Sequence, residues 1–415
     1  MSRPIARVLH NRPYLIFLGS HAAGSLGRSM MLLGAGIWVQ KLTGSDAGAA
    51  LTILFALLPT LLSPLAGAIV DRVSRRKTLI LLNFASAACV LPLLFVHEPD
   101  QVAIIYVVLF VNGMISMAIQ PAQSAQLVEL SSTEELPAMN GLLRATLESL
   151  KLGSPALGAG LFVLAGPQTV VVAQISCSAT AAILISLLPR TPIDSLGKRA
   201  EGGAPAVFGR TFFDGFALIF RDPALLRLST VSCVFMASAG VSESIRWSVV
   251  SQGLDAGSEW MGVLQVVMGI GSITFGVLSM RIVAHLGSLK AAAFSLALFA
   301  IGTGAWTSSA APVIYLGAIL VGGGVAMVVV SSLVLLQSTA AANEQGRVFS
   351  AFELLTTGPQ LASIALGAYL ITVVDYRLIA LSLALISAAL ALATSMPLRN
   401  RAKSSRIQGR LRRPR

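Results

Sequence analysis

The sequence predicts an all-α polytopic membrane protein, with twelve transmembrane helices in two pseudo-symmetric six-helix halves. Three observations carry this. Of 415 residues, 55% are hydrophobic and only 12% charged, with a mean hydropathy of +0.79, which is more apolar surface than a soluble fold needs. At about 20 residues per bilayer crossing plus short loops, that length holds roughly twelve helices. Charge is also distributed unevenly: 24 of the 30 Lys and Arg fall on one side of the proposed spans, and Lys41 and Arg377 are the only two in loops on the other. The positive-inside rule then places both termini in the cytoplasm. The net charge of +12 belongs to that topology and not to a nucleic-acid surface.

Taken in order, span 1 covers 13–41 and is interrupted by Gly19, Gly24, Gly27 and the charge of Arg28. Span 2 covers 46–70, bent at Pro59 and Pro64, and span 3 covers 78–96. Spans 4, 5 and 6 follow at 102–127, 136–164 and 169–188. Helix-breaking residues are tolerable there because neighbouring helices re-satisfy the freed backbone groups. The only long polar segment between spans runs over 189–222; its 198–205 portion reads as a flexible linker, and 211–221 as a short amphipathic helix on the cytoplasmic face. Six further spans are expected at 223–250, 258–284, 289–308, 312–336, 348–374 and 377–396. The chain therefore divides into an N-terminal half (1–189), a linker (190–222), a C-terminal half (223–398) and a tail (399–415). Eight basic residues in the tail favour anionic lipid. Cys89, Cys177 and Cys233 lie in separate spans and read as small core residues, not a disulfide framework. Arg3, Arg7 and Arg12 precede the first apolar run without a cleavable signal pattern, so span 1 is expected to be retained.

The densest signal lies between spans 2 and 3. Gly67, Asp71, Arg72, Arg75, Arg76 and Lys77 form a tight charged hairpin between two apolar runs. A positive-inside loop explains the cations but not an acid at the helix end beside them. The order Gly-x-x-x-Asp-Arg-x-x-Arg-Arg resembles the loop between helices 2 and 3 of the major facilitator superfamily. A shift of 209 residues places Gly67 on Gly276, Arg72 on Arg281 and Gly158 on Gly367, while Met280 stands where Asp71 does. That internal repeat fits the superfamily's two halves around a midplane substrate site. Further stretches, among them Asn140-Gly-Leu, Gly153-Ser-Pro-Ala-Leu-Gly158 and Gly346-Arg-Val-Phe-Ser350, resemble the branch of enterobactin-type siderophore exporters and macrolide-efflux proteins. The resemblance implies a conformational-switch loop of Gly67, Asp71, Arg72, Arg75, Arg76 and Arg281, with Asp71 latching the outward-open state. It also implies an antiporter-like motif at Gly153, Pro155 and Gly158, in which Ser154 replaces the usual glycine. Members of the branch often carry acids where this chain has Arg28 and Asn83.

Ionisable residues inside spans cost roughly 2.5–3.5 kcal/mol on insertion scales and so demand an explanation. Glu353, Glu148 and Glu243 are the proton-coupling candidates, since a carboxylate in a low-dielectric cavity titrates nearer neutrality. Each has a structural alternative: Glu148 lies between Arg144 and Lys151 on one helix face, Glu243 can pair with Arg246, and Glu353 can face Arg144 across the cavity. Substrate-binding candidates are Arg28, Asn112, Gln120, Arg144, Arg246 and Gln360, each also readable as a helix–helix contact. A cavity lined by Arg28, Arg144 and Arg246 would favour an anionic or hydrogen-bond-rich ligand. Gly322-Gly-Gly324 reads as a hinge or as close packing. No His-Glu-x-x-His, paired-Asp metal motif or phosphate-cradling Gly-x-x-x-x-Gly-Lys-Ser/Thr occurs, which argues against an enzyme, a metal site, a cofactor and a primary pump. The expectation is a monomeric, proton-coupled exporter of a small amphiphilic molecule in a bacterial inner membrane. An uptake symporter or uniporter is the alternative, followed by a membrane protein that has lost transport.

Overall fold

A helix must cap its free N–H and C=O groups, and the first helix shows how this chain does so. In the computed structural model, which describes residues 11–62, 74–132, 135–189, 210–339 and 345–395, α1 runs Arg12–Thr43. The Asn11 side chain accepts the Tyr14 N–H at 3.2 Å, and Gly44 ends the helix at φ 67°. Ser45 opens α2 (Asp46–Leu57) by accepting the Gly48 N–H at 3.0 Å. Beyond it Pro59 turns the chain into a 3-10 segment, Leu58–Leu62. The first half continues with α3 (Arg75–Cys89), α4 (Val102–Leu130), α5 (Leu136–Ala165) and α6 (Pro167–Ser186). A short α7 (Arg210–Arg221) leads into α8 (Pro223–Ser248), α9 (Trp260–Leu286), α10 (Ser288–Ala305), α11 (Ala311–Thr339), α12 (Gln345–Val373) and α13 (Tyr376–Ser395).

Among the described residues, nine helices are long and apolar enough to cross a bilayer. Span 1 corresponds to the continuous α1 and span 5 to α5, and the first part of span 2 to α2 and the segment after it, the rest of span 2 lying outside the described residues. Three details differ from the sequence reading. First, α1 is continuous through Gly19, Gly24, Gly27 and Arg28. Its glycines admit neighbours instead of breaking it: a Cβ at Gly27 would stand 2.8 Å from that of Cys177 on α6. Second, α3 begins at Arg75, so part of the expected loop is the first helical turn. Third, the apolar side of α7 does not rest on lipid alone, because Ile219 packs with Leu225, Leu336, Val348 and Ala351 at the ends of α8, α11 and α12.

The two halves repeat one wiring. In the first, α1 packs on α5 and α6, α3 on α4 and α6, and α2 on α4. Shifted by six spans, the same pairs recur: α8 on α12 and α13, α10 on α11 and α13, and α9 on α11. The closest approaches repeat as well. A Cβ at Gly158 would stand 2.6 Å from the Met30 carbonyl, and one at Gly367 would stand 2.9 Å from the Ser244 Cβ, 209 positions later. Gly113 and Gly322, also 209 apart, press on the backbones at Ala56 and Met268. Lipid tails are as apolar as leucine, so helices in a bilayer gain by close packing at small residues. Gly322, Gly323 and Gly324 face α9 at Met268, α9 at Phe275 and α10 at Ser295, and α11 continues through them. In this conformation they serve close packing. The halves meet along α2–α12 and α5–α9.

Candidate functional site

Two ends of the bundle follow from chain direction: a near end, where α1 begins, and a far end, where it stops. Toward the near end of the first half, α1, α4 and α5 enclose a cavity of about 290 Å³. Its polar lining includes His21, Ser25 and Arg28 from α1, Gln120 and Gln123 from α4, and Asn140 and Arg144 from α5. Of the six binding candidates, Arg28, Gln120 and Arg144 therefore meet in one place. Arg28 is half-buried and donates to Ser25 Oγ at 3.3 Å, while its Nη1 has no partner among the described residues. His21 is 4% exposed and its Nδ1 is likewise unpartnered. His21 escaped the sequence reading, because a lone histidine on an apolar helix resembles a buried core residue.

The other three candidates go elsewhere. Asn112 accepts the Ser86 hydroxyl at 2.8 Å, inside a packed contact that also holds Gln174. Arg246 does not join the arginine-lined cavity. It is buried in the second half, paired with Glu243, and donates to Gln265 Oε1 at 2.8 Å. A charge removed from water keeps its nearest opposite charge, and Glu243 one turn earlier supplies it. Gln360 is half-buried on α12, its carbonyl against Gly240 of α8. Among the proton-coupling candidates, Glu243 is committed to Arg246. Glu353 is exposed near the start of α12, and no ion pair joins it to Arg144 among the described residues. Glu148 belongs to α5, its side chain outside the described ones.

Gly67, Asp71 and Arg72 lie outside the described residues. Arg75 pairs with Glu129 at the end of α4, and Arg76 donates to the Ile185 carbonyl at 3.2 Å and to that of Ser186. These two cations staple the start of α3 to the ends of α4 and α6. Arg281, their expected counterpart, is exposed on α9. In the antiporter-like stretch Gly158 makes the approach to α1 described above, Pro155 is buried within α5, and Gly153 faces open space. Ser154 is buried and donates to the Leu150 carbonyl one turn back.

At the far end, contacts join the two halves. Lys41, at the end of α1, pairs with Glu259 beside α9 at 3.4 Å and lies over the Phe162 ring at 5.2 Å. The Ser251 hydroxyl donates to Asp46 Oδ2 at 2.6 Å, joining the π-helical turn Val249–Gly253 after α8 to the start of α2. Trp247 fills the space left by Gly36, where a Cβ would stand 2.5 Å from its ring. Below them Gly262 admits Ala159 at 2.8 Å. Lys41 carried a sequence signal, as one of only two cations on its side, but its partner across the halves did not.

Two repeated halves, a polar cavity near one end and a seal at the other define a membrane transporter. The chain belongs to the Major Facilitator Superfamily, whose sequence pattern matches residues 15–359. It is 24% identical over 379 residues to the uncharacterized MFS-type transporter YfiS of Bacillus subtilis (strain 168), covering 89% of each chain. Its fold is similar to that of the nucleoside transporter NupG (TM-score 0.70, 15% identity, 92% of this chain and 98% of that one). It is equally similar to a bacterial homologue of the iron transporter ferroportin in its inward-facing state (0.70, 15%, 94% and 100%). A D-xylose–proton symporter is close behind (0.68, 13%, 92% and 97%). These likenesses concern the fold.

Proposed function

We propose that the chain is a proton-coupled exporter of a small amphiphilic molecule, working as a monomer by alternating access between its halves. The observation that carries this is the pairing of a polar near-end cavity with a far end sealed by Lys41–Glu259, Asp46–Ser251 and Trp247 on Gly36. The cation distribution supports a cytoplasmic near end with both termini inside, and the family resemblance supports a bacterial inner membrane. The cavity then takes its ligand from the cytoplasm, and breaking the far-end seal releases it outside. Asp71 and its basic neighbours latch the opposite state, and Glu353 and Glu148 are the carboxylates available for the proton. The resemblance to siderophore and macrolide exporters supports the outward direction. The same cavity serves an uptake symporter or uniporter if the ligand arrives from the far end.

The test is substrate accumulation in cells overexpressing the wild type or Asp71→Asn at matched membrane levels. Siderophores, macrolides, lipophilic cations and organic anions are compared with and without a protonophore. Lower accumulation with the wild type alone, lost with the protonophore, is the expected result. Higher accumulation reverses the direction.

A further inference from the structure

The helices of this protein carry two arginines whose surroundings differ in kind. Arg246 is neutralised within its own half by Glu243 and is further bonded to Gln265. Arg28 has no carboxylate partner among the described residues, one long bond to Ser25, and an unpartnered Nη1. Its guanidinium and the Asn83 amide flank Gly24, where a Cβ would stand 3.1 Å from Arg28 Nη1 and 3.4 Å from Asn83 Oδ1. Asn83 is buried and its amide nitrogen donates to the Leu79 carbonyl, and it brings no charge to the surroundings of Arg28. In the same cavity, His21 Nδ1 and Gln123 Oε1 are buried without a well-formed hydrogen bond, the two side chains lying beside each other. Among the described side chains of the lining the other charge is Arg144, a second cation. An unpaired cation beside buried hydrogen-bonding atoms is the donor set that recognises an anion.

We infer that this cavity binds a small organic anion through its carboxylate, phosphonate or phosphate group. Arg28 is the fixed charge, His21 and Gln123 are hydrogen-bonding contacts, and Arg144 is a second cation at the wall. A volume of about 290 Å³ lies at the lower end of ligand sites, so it takes a compact molecule or the headgroup of a larger one. The inference rests on the transport reading for its physiological meaning, and its test is separable from transport.

Binding to the purified, detergent-solubilised protein is measured with four probes on one scaffold: benzoate, phenylphosphonate, benzamide and benzylamine. The two anions are expected to bind at least about tenfold more tightly than the amide or the amine, the discrimination of a charge-assisted hydrogen bond. Arg28→Gln loses the anions, and Arg28→Lys recovers part of the loss. Asn83→Asp, which supplies the missing countercharge without touching Arg28, weakens them by about tenfold or more. His21→Asn weakens them several-fold, and Lys290→Gln, the same charge change at an exposed position of α10, leaves them unaltered. Should Arg28→Gln fail to fold, a cysteine at Ser124 of the cavity wall, alkylated with and without benzoate, locates the site by protection. Equal binding of benzoate and benzamide, or undiminished binding in Arg28→Lys, Arg28→Gln and Asn83→Asp alike, overturns the inference. Anion binding without transport of any compound retains the site and refutes the exporter. Export of a cation, unaffected by Arg28→Gln, from a protein that binds neither anion does the reverse.

Discussion

At the residue scale, Arg28 and Arg246 predict opposite responses in the ligand-free protein. Removing Glu243 strands a buried guanidinium, a cost of about 1–3 kcal/mol once the partial exposure of the pair is allowed for. Glu243→Gln is therefore expected to lower the unfolding temperature in detergent. Arg28 has no such partner to lose, and Arg28→Met is expected to raise it, since functional sites commonly sacrifice stability. An unchanged unfolding temperature in both variants would contradict the contrast drawn between them. Arg28, Gln120 and Arg144 were legible in the sequence because polar groups are costly inside a span. That Arg246 belongs to a different contact was half-legible, from Glu243 three residues earlier. His21 was not, because burial alone gives histidine no signature, and its meaning comes from Gln123 and Arg28 arriving beside it.

At the element scale, the glycines of α5 divide by what they face. Gly158 presses on the α1 backbone, whereas Gly153 meets nothing within 4 Å. Gly158→Ala is expected to cost about 1–3 kcal/mol of overpacking, while Gly153→Ala is near neutral or slightly stabilising in a helix. Gly367→Ala, its repeat counterpart on α12, should match Gly158→Ala. Thermal unfolding of the three variants checks the set, and equal behaviour of Gly153→Ala and Gly158→Ala would sink the packing account. The sequence grouped both glycines in one motif because spacing cannot say which face meets a neighbour. Helix existence was far more legible than helix boundary. The start of α3 at Arg75 was hidden because a positive-inside cluster reads as loop even when its arginines staple the first turn to Glu129 and to the end of α6.

At the scale of the whole molecule, the repeat was legible as a 209-residue offset, and the structure expresses it in matching helix pairs and matching close approaches. What the sequence could not supply was the far-end seal. Lys41, Asp46, Ser251 and Glu259 sit at helix ends, where charged and polar residues ordinarily serve as caps or topology anchors, and their pairing exists only once the halves meet. Each link is modest, so Lys41→Gln or Asp46→Ala should shift the population of states without unfolding either half. Thiol reagents applied from outside are then expected to label a cysteine replacing the buried Ser248, beside Trp247, faster than in the parent, and an equal rate would mean that these links do not hold the seal. The most direct test of alternating access locks that seal. Cysteines replace Asp46 and Ser251 in a chain whose Cys89, Cys177 and Cys233 are serine, and a short reducible cross-linker joins them. Cross-linking is predicted to abolish transport of any compound the uncross-linked variant moves, and reduction to restore it. Undiminished transport across a locked far end would contradict the account.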